Sequence, residues 1–322
     1  MKNLLKAGVL SFLVLASCSK DDNNNQVTNP PTENPITAEV NLLVIDTSKI
    51  NTISKTGTNE KTIINRIKNT SSFIGDFSVN AQSTKFVYVD NQRTFSPNVY
   101  TAQLRVADIS GANDKDILST TTDEILHAKF CSDGKIHFAR KNRTTNTLMF
   151  GTINSDGTGL NESTGYYPEI VDITSDRKLI LLAPNTLSST GKVQVIDLSL
   201  DGGAGGPFHT ENFTGIDPYQ IKEGVFTPDG KKAIIPFKDG NDIKIRVIDL
   251  STKTSTTKTI ATGITEWAFF HAEIAKDNNT GVLGVMGGNF PTKSKTYMFS
   301  LDSNTTTSFE NNDENIVNIY PY

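Results

Sequence analysis

Two of the four histidines in this chain of 322 residues stand at matching places in a repeated segment. Five such segments align on an apolar anchor: Phe77, Phe130, Ile173, Phe226 and Ile274. Three positions ahead of the anchor stand Ile74, His127, Ile170, Glu223 and His271, and one position ahead stand Asp76, Lys129, Asp172, Val225 and Glu273. The position between them is small or apolar throughout: Gly75, Ala128, Val171, Gly224 and Ala272. Side chains alternate along a strand, so the two polar sets share one side. His127, Glu223 and His271 together are a ligand set for a divalent metal such as Zn²⁺. The same groups are equally a general acid and base. The plainer expectation is a wet channel whose polar walls bond to water and to neighbouring strands, with no cofactor and no catalytic residue.

A second set is aromatic. Tyr166, Tyr167, Tyr219 and Trp267 each fall just before an anchored strand, in connections that open on one common face. Flat rings beside acids and amides suit sugar or peptide recognition, while ordinary packing of loops onto strand ends is the simpler use of such rings. Hydrolytic signatures are missing: there is no G-x-S-x-G, P-loop, H-E-x-x-H or EF-hand loop. Cys131 has no histidine or second cysteine close to it in an arrangement that suggests a nucleophile, and it reads as a packed residue.

The elements that must position these groups are repeated strands. One unit runs from Gly224 through Phe226-Thr227-Pro228-Asp229-Gly230-Lys231 to a second strand ending at Phe237, then to a third from Ile243 to Ser251. Ile243, Ile245 and Val247 alternate with Lys244 and Arg246, a period of two. Anchors recur 53, 43, 53 and 48 residues apart, the length of a four-stranded propeller blade with loop insertions. A sixth copy is assembled from the ends. Asn41 to Thr47 matches a third strand, Thr62 to Ile67 an outer strand, and Asn315 to Tyr320 an inner strand. The expected fold is therefore all-β: a β-propeller of six four-stranded blades, its ring closed by both termini, with five or seven blades as the alternatives that the degenerate ends allow. Phe226 to Lys231, and Ile153-Asn154-Ser155-Asp156-Gly157-Thr158-Gly159-Leu160, resemble the repeats of TolB-type, WD-repeat-like propellers. That resemblance implies the fold and is nearly silent on activity, because such propellers host enzymes, binders and scaffolds alike.

The N-terminus carries the address. Lys2 and Lys6 precede the apolar run Ala7 to Ala16, too short for a permanent membrane span. Leu15-Ala16-Ser17-Cys18 then resembles the bacterial lipobox, which implies cleavage before Cys18 and a diacylglyceryl plus N-acyl (palmitate-type) anchor on it. More than one lipid chain is enough for stable anchoring in a membrane. Ser19-Lys20-Asp21-Asp22 resembles the surface-export signal of lipoproteins from Bacteroidetes-type bacteria, implying an exposed position on the outer membrane. The expected organisation is a signal peptide over 1–17, a lipidated polar tether over 18–36 and the propeller over 37–322. With Cys18 lipidated, Cys131 has no disulfide partner. Loss of Lys2 and Lys6 moves the formal charge from −4 to −6, which offers nucleic acid no basic stripe. The leading expectation is a non-enzymatic binding or scaffold lipoprotein for a glycan, peptide or envelope protein. The alternative is a propeller hydrolase or lyase that uses the channel histidines and acids.

Overall fold

A computed structural model describes residues 41–46, 49–66, 71–95, 98–164, 170–182, 191–200, 205–265, 268–287, 290–310 and 316–322. Cys18, the signal and tether segments, Tyr166, Tyr167 and Trp267 lie outside the described residues. Among the described residues no helix is long and apolar enough to cross a membrane.

The strands form six separate four-stranded antiparallel sheets. In the first blade they are β4 (Ser71–Val79), β5 (Lys85–Phe95), β6 (Asn98–Asp108) and β7 (Lys115–Thr120). The second has β8 (Asp123–Phe130), β9 (Ile136–Asn142), β10 (Leu148–Ile153) and β11 (Asn161–Thr164). The third has β12 (Ile170–Ile173), β13 (Leu179–Leu182), β14 (Gly191–Asp197) and β15 (Gly206–Phe213). The fourth has β16 (Val225–Phe226), β17 (Lys232–Asp239), β18 (Asp242–Asp249) and β19 (Thr254–Ala261), and the fifth β20 (Ala268–Ile274), β21 (Thr280–Gly287), β22 (Phe290–Ser300) and β23 (Thr306–Glu310). The closing blade joins β24 (Ile316–Pro321), as inner strand, to β1 (Asn41–Asp46), β2 (Lys49–Ser54) and β3 (Lys61–Asn65). Six blades and closure by both ends of the chain are as the repeat implies.

One strand is placed differently. Asn41–Asp46 is the second strand of the closing blade, paired with β24 on one side and β2 on the other, and β2 is the third. Burial explains the ambiguity. Leu42, Leu43, Val44 and Ile45 are all buried, as are Ala233 to Phe237 in the second strand β17, whereas the third strand β18 alternates buried and half-buried residues. A strand packed on both faces reads as a continuous apolar run.

Packing follows from that two-sided burial. The buried apolar residues fall into six clusters, each spanning one pair of adjacent blades. Between the closing and first blades, Tyr320 lies 4.6 Å from Phe77, ring centre to ring centre. There Arg66 also donates through Nε to the wholly buried Asp90 at 2.8 Å. The turns between first and second strands demand positive φ at one residue. Gly230 (φ 69°) and Gly134 (φ 79°) supply it as glycine, and Arg177 (φ 60°) and Asn278 (φ 60°) tolerate it. In the Gly230 turn Asp229 accepts from the Thr227 hydroxyl at 2.7 Å and from Lys231 N at 3.1 Å, so the acid serves the turn.

Candidate functional site

The inner strands β4, β8, β12, β16, β20 and β24 surround an axial cavity of about 490 Å³. His127, Glu223 and His271 all line it, together with Asp76, Lys129, Asp172 and Glu273. The two polar positions of each repeat therefore do face one space.

Within that space most charges answer one another. Asp76, at the inner edge of the first blade, accepts from Phe77 N at 2.9 Å, from Ala128 N of the second blade at 2.7 Å and from His127 Nδ1 at 2.8 Å. Asp172 repeats the device two blades on. It accepts from Ile173 N at 2.7 Å, from Phe226 N of the fourth blade at 2.7 Å and from the Lys129 ammonium of the second blade at 2.6 Å. Both acids are thus latches between neighbouring blades. They satisfy backbone amides that the inner edge of a sheet would otherwise leave open.

His271 meets Glu273 through Nε2 at 2.9 Å. Burial works to lower the His271 pKa, but Glu273, with Glu223 and Asp76 behind it, outweighs burial and holds the imidazole above its ordinary value. Burial pushes the Glu273 carboxyl up, against the pull of His271. The pair therefore keeps a proton well. Glu223 is exposed to the cavity. His127 and His271 each turn a ring nitrogen to a carboxylate. Among the described residues no three His, Cys, Asp or Glu side chains are gathered so as to hold one metal ion. The trio His127, Glu223 and His271 shares the cavity without forming such a group.

Tyr219 is 65% exposed, on a short 3-10 turn at Pro218–Gln220. Its amide donates to Asp217 Oδ1 at 3.0 Å and its carbonyl accepts from Lys222 Nζ at 2.9 Å, so the backbone is pinned while the ring stays in solvent. This turn joins the third blade to the fourth, at the opposite end of the inner strand from the turn holding Pro228, which lines the cavity. Tyr219 is not part of the cavity wall; a separate depression of about 260 Å³ lies beside Asp217, Gln220 and Lys238.

Sequence reasoning missed two features. His137, on the second strand β9, is buried, and burial drives its pKa down to about 3. No repeat position marks it. Tyr320 and Tyr322 line the cavity from the closing strand, where the repeat is most degenerate. Cys131 is buried and burial pushes its thiol pKa up, in keeping with a packed rather than reactive residue.

Six four-stranded blades around an axial cavity define the class: a six-bladed β-propeller. No family model and no curated protein matches the sequence. Among solved structures, TolB from Acinetobacter baumannii superposes with a TM-score of 0.60 at 13% identity, over 89% of this chain and 67% of that one. Two proteins provisionally assigned as 6-phosphogluconolactonases also match. The one from Bacteroides uniformis has a TM-score of 0.52 at 10% identity, over 88% of this chain and all of that one (100%). The one from Bacteroides fragilis has 0.51 at 12%, over 91% and 100%. Likeness at such identities is likeness of fold.

Proposed function

We propose that this chain is a lipid-anchored protein of the bacterial outer membrane that binds a polar ligand, a glycan or peptide segment, in its axial cavity without transforming it. One observation carries the reading. The cavity is large and carries charged groups among apolar ones, and Asp76, His127, Lys129 and Asp172 are committed to one another and to backbone amides. Such walls are rigid and present fixed hydrogen-bonding groups, as a binding site needs. Both histidines are held by carboxylates, which fixes each imidazole in the wall. Anchoring rests on Leu15 to Cys18, and surface exposure on Lys20-Asp21-Asp22.

A blocked cavity tests this. Ser132 is exposed at the cavity wall, so Ser132→Trp fills the mouth while leaving the buried charges alone. Ligands found by screening glycans and peptides against the full chain should bind this variant at least tenfold more weakly. Unchanged binding would count against the cavity as the site.

A second reading has its own support. His271 and Glu273 form a proton-holding pair beside the exposed Glu223, and such a pair could act as acid and base in a hydrolase or lyase. Turnover of a bound glycan that disappears in His271→Gln while binding persists would favour it.

A further inference from the structure

Beside the axial cavity, a feature of the second blade points to a second ligand. His127 on β8 and His137 on β9 lie diagonally across the pair, since His127 is opposite Ala139 and His137 opposite Lys129. Both project from the face that packs on the third blade, where Ala139 joins Ile170, Ile173 and Ile180 in one apolar cluster and Phe150 covers it. His127 is 3% exposed and His137 7%. Nε2 of His127 and Nδ1 of His137 are buried and have no hydrogen-bond partner. Two unpartnered imidazole nitrogens in neighbouring, apolar surroundings are an unusual cost for a fold to carry.

The geometry points to a two-imidazole site for a soft monovalent d10 ion of the Cu(I) class, held between His127 Nε2 and His137 Nδ1. Three features argue for it. First, the His127 Nδ1 is 2.8 Å from the Asp76 carboxylate, which also accepts two backbone amides and so acts as acceptor only. The proton is therefore on Nδ1, and Nε2 keeps its lone pair, the arrangement in which a carboxylate orients a metal-binding histidine. Second, metal–nitrogen bonds of about 2.0 Å place two imidazoles on one ion with ring centres roughly 5 Å apart at a tetrahedral angle and roughly 6 Å apart when the nitrogens approach a line. These two rings are 5.9 Å apart, inclined by 53°. Third, the number of donors selects the ion. A divalent ion asks for four or more ligands, and the described residues gather no third His, Cys, Asp or Glu here. A d10 monovalent ion accepts as few as two donors, and imidazole is a ligand that copper takes. Its single charge is offset by Asp76 behind His127, while the nearby Lys129 ammonium is already neutralised by Asp172 at 2.6 Å. On the opposite side, Phe150 stacks on His137 with ring centres 6.1 Å apart.

The site shares His127 with the wall of the axial cavity, and its test uses metal alone. The full chain, purified with detergent, is titrated with Cu(I) anaerobically against a chromophoric Cu(I) chelator, with Ag(I) as an air-stable probe of the same chemistry. One equivalent is expected to be held, and X-ray absorption should show two nitrogen donors. His137→Phe and His127→Gln should each weaken binding at least a hundredfold, whereas Cys131→Ser should bind like the wild type. Failure to hold Cu(I) against the chelator would overturn the assignment. So would unchanged affinity in a folded His137→Phe, or a sulfur donor in the absorption spectrum. If thermal melting shows that either histidine variant does not fold, the donor set measured on the wild type decides.

Discussion

Asp172 offers the sharpest test of how the ring is held together. Its carboxylate is 4% exposed and receives three donors: its own blade's Ile173 N, the fourth blade's Phe226 N and the second blade's Lys129 ammonium, all between 2.6 and 2.7 Å. Asp172→Ala strands two amides and one half-buried ammonium. Breaking a buried charge pair costs about 3–5 kcal/mol, a large part of the ~5–15 kcal/mol stability of an ordinary domain. Lys129→Met leaves the carboxylate its two amide donors, so it should cost less, about 1.5–3 kcal/mol, the range of one hydrogen bond to a charged group. Lys129→Met in the Asp172→Ala background should then cost less than it does alone, because the stranded ammonium goes with it. Urea unfolding of the four proteins at constant slope reads the cycle directly. A cost below about 1 kcal/mol for Asp172→Ala, or strict additivity of the two changes, would refute the latch.

Other outcomes follow from single positions. Gly224 packs so closely that an added methyl would lie 2.7 Å from the Ile234 carbonyl oxygen, which cannot move aside. Gly224→Ala should therefore lower stability by about 1–3 kcal/mol, seen as a lower melting temperature. The His271–Glu273 pair retains in the folded chain a proton that the unfolded chain releases, since both groups are held above their ordinary values. Its contribution is full below the unfolded histidine pKa of about 6.5 and fades as pH rises through the raised folded value. Urea midpoints from pH 6 to 9 should fall more steeply for the wild type than for His271→Gln. Cys18→Ser should abolish labelling by a palmitate analogue and shift the protein from the membrane to the soluble fraction.

Much of this architecture was legible because a propeller repeats its physics. Each inner strand needs a small residue where it meets its neighbours, and Gly75, Ala128, Gly224 and Ala272 mark that position in sequence. The polar positions on either side then had to face the axis, which placed His127, Glu223 and His271 in one cavity. What those side chains touch was not legible. Asp76 and Asp172 bond to amides 52 and 54 residues away, and backbone donors leave no trace in residue type. The strand at Asn41–Asp46 was misplaced by one step because Val44-Ile45-Asp46 copies the end of a third strand. Its unbroken burial from Leu42 to Ile45 is the sign of a second strand. Tyr219 stands on the end of the ring away from the Pro228 turn, since a connection between blades and a hairpin within one leave an inner strand at opposite ends. His137 escaped notice because it interrupts an apolar second strand, where periodicity predicts only core.

The central claim is that the axial cavity takes the ligand. It is tested most directly by measuring binding of the best glycan or peptide hit to the wild type, to Ser132→Trp and to Tyr219→Ala in parallel. Loss of at least tenfold in Ser132→Trp, with Tyr219→Ala unchanged and all three melting alike, is the predicted result. Full binding by Ser132→Trp together with loss in Tyr219→Ala would contradict it and move the site to the opposite face.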